Sequence, residues 1–260
     1  MILRYSRSGP HCDPEDNRTM PSNVRNPDDH FLRTRTKQAI RNVFSRLDYD
    51  ALGDVYCEEG GAAFWKAHKK KCQTMGIRIA EALKQRLSRK GRSLYVGAGV
   101  AELPMLVLET LDMNRTVEAY NLREREVDVL NEACGGLPLT IQASPAQTAR
   151  GTFDHLWMAS VLNDPECFPE TSALAYGRAD PVRFDPVAFQ RERTRIRDLL
   201  DACLPKLSRP GLLSTTVEEV TWITNWLTRN RIPFHVEEQF YPTAIVGDPL
   251  CFIRLEPGRS

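Results

Sequence analysis

The amino-acid sequence predicts an α/β fold, a seven-stranded and mostly parallel sheet with an antiparallel terminal hairpin, preceded by a helical N-terminal extension. Three observations predict it. From Ser93 onward, short apolar runs alternate with helical stretches, the pattern of β-α-β units and a parallel sheet. The last two apolar runs are separated by only about nine residues, too few for a helical crossover, so they pair antiparallel. Between Trp65 and Leu87, apolar residues recur at steps of three or four, the spacing of an amphipathic helix.

The elements follow in order. Residues 1–27 carry Pro10, Pro14, Pro21 and Pro27 among polar residues with few apolar anchors, and read as a flexible tail. Helical spacing starts after Asp28-Asp29, acids that suit a helix N-terminus, with Phe31, Ile40, Phe44 and Leu47 broadly on one face. A connector is expected from Asp48 to Gly61. The next helix places Trp65, His68, Cys72, Met75, Ile79, Leu83 and Leu87 on one side and stops near Gly91, with Gly76 weakening its middle. Residues 28–90 therefore read as a helical cap, and 91–260 as the main domain. Strands are expected at 93–96, 116–120, 138–141, 153–158, 211–216, 234–240 and 250–255, with a helix at 186–204 before the fifth. The connection 163–185 holds Pro165, Pro169, Pro181, Gly177, Phe168, Tyr176 and Phe184. It is longer than compact domains favour and reads as a lid insertion.

Composition narrows the class. The chain of 260 residues has 35 Lys+Arg against 34 Asp+Glu and 42% hydrophobic residues, as an ordinary soluble globular protein does. No run reaches the ~18 apolar residues of a membrane span, and Met1-Ile2-Leu3-Arg4 lacks the apolar core of a secretory signal, so a cytoplasmic location away from membranes is expected. The seven cysteines are scattered with no C-x-x-C pair, so they read as reduced thiols, and no metal site is expected. Residues 61–90 hold nine Lys/Arg and one acid, Glu81, a local charge of +8 within a chain of net +1.

The chemistry-bearing element is Ser93-Leu-Tyr-Val-Gly97-Ala-Gly99-Val-Ala-Glu102-Leu-Pro104. A strand that feeds a Gly-x-Gly turn into a helix lets backbone approach a ligand and offers the free N–H groups of a helix start. Asn121, 24 residues after Gly97, falls where nucleotide-binding α/β folds place an acid on the ribose hydroxyls. An amide there can still bond a hydroxyl, without the charge assistance of a carboxylate, and an Asn that simply ends the strand explains the position as well.

With these residues the chain resembles the class I S-adenosylmethionine-dependent methyltransferases, over about residues 91–256. Leu94 to Ala101 is similar to the glycine-rich first motif, Val117 to Asn121 to the second strand, Gln142 to Ala146 to the segment flanking adenine, and Phe153 to Leu162 to the fourth strand and its exit. Leu204 to Gly211 resembles the run into strand five, and the closing hairpin the reversed last strand. The resemblance implies a Rossmann-like fold and S-adenosyl-L-methionine as cofactor. Gly97, Ala98 and Gly99 would line its methionine half, Asn121 and Leu122 the ribose and adenine, Ser144 and Pro145 the adenine edge, and Ala159 the region beneath it. The chain departs from the family pattern at Tyr95, Asn121 and Ser144, where acids are usual or frequent, and at Ala101, where glycine is usual.

Two residues are weak catalytic candidates. His155 on the fourth strand has the chemistry of a general base, although a core histidine explains it as well. Asn163-Asp164-Pro165 falls close to the place of the Asn/Asp-Pro-Pro-Tyr/Phe signature of amino-methylating nucleic-acid enzymes, and also reads as a loop start. Tyr49, Tyr56, Trp65, His68 and Tyr176 are candidate substrate contacts. The leading expectation is methyl transfer to a small molecule. The alternative is a non-catalytic module that binds RNA or a protein partner through the basic 61–90 helix; nucleic-acid binding is disfavoured because the bases are not interleaved with stacking aromatics. A nicotinamide-dependent oxidoreductase ranks last, since no Tyr-x-x-x-Lys motif is present.

Overall fold

The computed structural model describes residues 31–55, 60–245 and 247–258. The expected tail and Tyr56 lie outside the described residues. Seven strands form one sheet: β1 (Arg92–Val96), β2 (Thr116–Asn121), β3 (Ile141–Ala143), β4 (Phe153–Met158), β5 (Leu207–Thr216), β6 (Phe234–Val236) and β7 (Leu250–Leu255), in the order β3-β2-β1-β4-β5-β7-β6. The first five are mutually parallel, and β7 runs antiparallel to both neighbours. This is the Rossmann-like α/β class expected. The order reverses between β1 and β4, and the carboxyl ends of strands beside such a reversal open a crevice.

Alternate residues along each strand point to opposite faces. Tyr95, Trp157, Leu212 and Phe252 face one layer of helices: α1 (Thr34–Arg46), α2 (Tyr49–Val55), α3 (Gly61–Arg86), α4 (Leu103–Val107) and α5 (Glu124–Ala133). Leu94, Leu156, Leu213 and Ile253 face the other, built on α7 (Pro186–Cys203) and α8 (Val220–Arg229). A short α6 (Pro169–Ala175) lies between β4 and α7.

Several boundaries differ from expectation. The connector after Asp48 holds a helix, α2, because Asp48 Oδ1 accepts from the backbone N–H groups of Asp50 (3.0 Å) and Ala51 (2.9 Å) and so caps it. β3 starts at Ile141 rather than Pro138. Its outer edge is satisfied by Asn131 of α5, which brackets the Ile141 backbone with bonds of 2.8 and 2.9 Å. β6 is shorter than expected and stops before Glu237, whose carboxylate bonds Arg86 of α3 and Arg254 of β7. Gly76 has a packing reason: a Cβ there would lie 2.4 Å from Pro104 Cγ, so only glycine lets α3 lie this close to α4.

A polar network is sealed beneath the sheet. In the wide turn after α4, Glu109 accepts hydrogen bonds from Ser93, Tyr95 (2.7 Å) and Arg115 (2.8 Å), and His155 Nδ1 lies 3.0 Å from it. His155 Nε2 is 2.9 Å from Ser214 Oγ. Burial alone would raise the Glu109 carboxyl, but His155, Arg115 and Ser93 outweigh it and hold it at about 2.

Candidate functional site

β1 ends at Val96, and Gly97 turns the chain with φ +74, where an added Cβ would also meet Val161 Cγ2 at 2.9 Å. The Gly99 N–H donates to Glu102 Oε2 (2.9 Å) and the Glu102 N–H donates to the Gly99 carbonyl (3.2 Å), which closes the first helical turn. A Cβ on Gly99 would lie 3.0 Å from Glu126 Oε1. Both glycines thus line a backbone cradle that any side chain would fill. It opens on a cleft of about 870 Å³ at the carboxyl ends of β1, β2 and β4, near the upper end of the volumes that small-ligand sites occupy.

Two buried carboxyl groups flank Gly99. Glu102 is 9% exposed; burial pushes its carboxyl up to about 7, with Glu126 adding to the rise and the Gly99 N–H opposing it. Glu126, in the first turn of α5, is 1% exposed. Its Oε2 accepts from the Asn121 amide at 2.9 Å. The same amide donates to the Ala98 carbonyl (2.9 Å), and Asn121 Oδ1 accepts from the Arg123 N–H (2.8 Å). Both amide hydrogens of Asn121 are therefore used within the protein. The carboxylate at the end of β2 belongs to Glu126.

The exit of β4 is held by Glu219, which is fully buried. Its carboxylate accepts from the backbone N–H groups of Ser160 (3.0 Å), Val161 (2.5 Å) and Leu162 (2.5 Å), and from Thr215 and Thr216 of β5. Asn163 follows, with Nδ2 donating to the Tyr176 hydroxyl at 2.8 Å. Its Oδ1 is buried with no hydrogen-bond partner although the residue lines the cleft. Burial, then Asp248 and Glu219, raise the Tyr176 phenol well above its usual range. Arg123 at the head of α5 reaches Glu166 (2.8 Å) and Asp164 (3.4 Å), tying the 163–185 segment to the rim of the cleft.

The cleft brings together Gly97, Gly99, Asn121, Leu122, Ser144, Ala159, Asn163, Trp65 and Tyr176. Ala98 is buried under the turn, and Pro145 is exposed and not among the lining residues. Tyr49 donates its hydroxyl to the Phe44 carbonyl (2.6 Å), and His68 stacks on Phe64 with Nδ1 2.8 Å from its carbonyl; neither lines the cleft. His155 lies in the sealed network, with no exposure through which it could meet a ligand. Glu126, Trp157, Met75 and Ile79 are not among the site residues the sequence suggests, Met75 and Ile79 reading only as the apolar face of a helix, yet all line the cleft. An acid one turn into the helix after β2 is the only mark that Glu126 carries.

The basic segment is partly engaged. Lys66 pairs with Asp50 (2.7 Å), Lys84 with Asp112 (3.5 Å) and Arg86 with Glu237 (2.5 Å), and Arg89 donates to the Asp112 carbonyl (2.7 Å). Lys70, Lys71 and Arg78 are exposed. Among the described residues, no group of three or more His, Cys, Asp or Glu is placed to hold a metal ion, and no helix is long and apolar enough to cross a membrane.

No protein-family model and no curated protein matches the sequence. Among solved structures, the chain is similar to a methyltransferase from Pyrococcus furiosus (14% identity, 70% of this chain and 83% of that one, TM-score 0.45). It is also similar to a SAM-dependent O-methyltransferase from Thermotoga maritima (14% identity, 71% and 65%, TM-score 0.45). A third is the magnesium protoporphyrin IX methyltransferase from Synechocystis with bound SAM (12% identity, 72% and 83%, TM-score 0.44). The chain spans less than half of some others, 43% of one and 48% of TrmN from Thermus thermophilus.

Proposed function

We propose that this chain binds S-adenosyl-L-methionine in the cleft and serves methyl transfer to a small-molecule acceptor. The observation that carries the reading is the glycine turn at the sheet's reversal, with the Glu126 carboxylate beside Gly99 and at the end of β2. The residues fit the cofactor. Gly97 and Gly99 leave a cradle for the methionine half, Glu126 replaces Asn121 as the partner of the ribose hydroxyls, and the exposed Leu122 offers an apolar face at the rim for the adenine. When bound, the cofactor supplies a methyl group on a positively charged sulfur. The chain contributes position and shelter: α3 and the 163–185 lid border the cleft, and Glu219 holds the β4 exit rigid beneath it. The reading as a non-catalytic module that binds through the basic helix has less support, because four of its nine bases are committed to intramolecular partners.

Calorimetric titration with S-adenosylmethionine and S-adenosylhomocysteine tests this. We expect micromolar binding, about 8 kcal/mol. Glu126→Ala should weaken it at least tenfold, and Gly99→Asp should abolish it. No heat of binding to the wild-type chain at 100-fold higher ligand concentration would overturn the proposal.

A further inference from the structure

The cleft is chemically uneven. On the α3 side it is walled by Phe64, Trp65, Met75 and Ile79, faced by Trp157 and Ala244. The arginines of the cleft sit elsewhere: Arg123 is bound to Asp164 and Glu166, Arg178 lies over Tyr176, and Arg195 lies over Phe168. The exposed lysines of α3, Lys70 and Lys71, are not lining residues. An anion in this compartment would therefore be desolvated with no cation to meet it.

The carboxyl group nearest α3 is Glu102, which stands where the glycine turn meets that helix. Its carboxylate accepts from the Gly99 N–H and faces the Trp157 indole, and it makes no ion pair among the described residues. It is close enough to Cys72 of α3 to add to the rise that burial gives that thiol. Across the cleft, on the side of Tyr176 and Arg178, Asn163 Oδ1 is a buried acceptor without a donor. A buried acceptor at the edge of an apolar compartment asks for a ligand that brings a hydrogen-bond donor.

We infer that the α3 side of the cleft is the acceptor compartment, that it takes an uncharged ring compound whose methyl-accepting atom carries a hydrogen, and that Glu102 accepts that hydrogen as a proton. The source of the methyl group rests on the proposal above; the choice of ring compound and the role of Glu102 rest on the compartment itself. In the reaction, the acceptor's lone pair forms the bond to the methyl carbon and the electrons of the carbon–sulfur bond remain on sulfur. The acceptor's hydrogen passes as a proton to the Glu102 carboxylate, which returns it to water after the product leaves. A carboxyl that titrates near neutrality is suited to this exchange. The groups facing Glu102 are Glu126 from α5, Cys72 from α3, Tyr95 from β1, the indole of Trp157 from β4 and the Gly99 N–H. None is a cation.

Equilibrium dialysis with three probes, and no cofactor present, tests the inference. 2-Naphthol should bind at least tenfold more tightly than 2-methoxynaphthalene, which has no hydrogen to give, and than 2-naphthoate, which is an anion. Its affinity should rise several-fold from pH 5.5 to 8 as Glu102 ionises. Glu102→Gln should remove that rise and leave 2-methoxynaphthalene unaffected, whereas a purely structural role would change both probes alike. Trp65→Ala should weaken both neutral probes. Equal binding of naphthol and its methyl ether, or tighter binding of naphthoate, overturns the inference even if the variants fail to fold, because the wild-type chain decides it. Either result leaves the S-adenosylmethionine titration standing. Loss of that titration with naphthol selectivity intact would remove only the methyl source.

Discussion

Replacing Glu102 by Gln should reverse a pH-dependent weakness in the fold. The carboxyl is 9% exposed, and its midpoint moves from 4.5 to about 7 on folding, chiefly through burial. Between those midpoints the native state holds a proton that the unfolded chain has released, so the native state is progressively destabilised as pH rises. The contribution is fully present below about pH 4.5 and is lost as pH passes 7. At about 1.4 kcal/mol per pH unit, the interval amounts to about 3 kcal/mol, a sizeable part of the roughly 5–15 kcal/mol that holds a domain together. Gln keeps an acceptor for the Gly99 N–H and cannot ionise. Urea denaturation of both proteins at pH 5, 6, 7 and 8 isolates the effect, because other titrating groups, such as Glu219 with its own raised carboxyl, are common to both and cancel in the difference. We expect the difference to move by about 2.5 kcal/mol in favour of the variant between pH 5 and 8. A flat difference, or one that moves toward the wild type, would refute the placement of Glu102 in a desolvated site.

Arg115→Ala should destabilise by about 3–5 kcal/mol, since it leaves the fully buried Glu109 without the guanidinium 2.8 Å away; urea unfolding at pH 7 reads it, and a loss under about 1 kcal/mol would show that His155 and Tyr95 suffice. Gly76→Ala should cost about 1–3 kcal/mol despite alanine's better helix propensity, because the new methyl meets Pro104; thermal unfolding checks it, and a gain in stability would mean that α3 and α4 separate at no cost.

Much of the fold follows from local pattern. β4 matches its expected bounds, and the Gly-x-Gly turn is where the sequence places it, because strand alternation and the need for positive φ at Gly97 are properties of adjacent residues. The acids are another matter. Tyr95 and Asn121 stand where the resemblance implies carboxylates, and each instead donates a hydrogen bond to a carboxylate brought by a neighbouring helix. Tyr95 bonds Glu109, 14 residues on, and Asn121 bonds Glu126. No spacing rule distinguishes these two glutamates from the other acids on the helices. His155 shows the converse. Its chemistry invites a catalytic role, and only the packing of Glu109, Ser93 and Ser214 around it places it in the core.

The sequence alone determined the alternation of strands and helices, the reversed last strand, the glycine turn and the amphipathic face of α3, all of which depend on periodicity and on backbone freedom within a few residues. Tertiary structure decided which carboxyl groups border the cleft, which of the basic residues are neutralised, and that α3 presents Trp65, Met75 and Ile79 to the cleft while Lys70 and Lys71 stay outside its lining. The reason is physical. Periodicity assigns a residue to a face of its own element, but desolvation and hydrogen bonding depend on the element packed against that face, and these interactions set the charge state of Glu102 and the partner of Asn121.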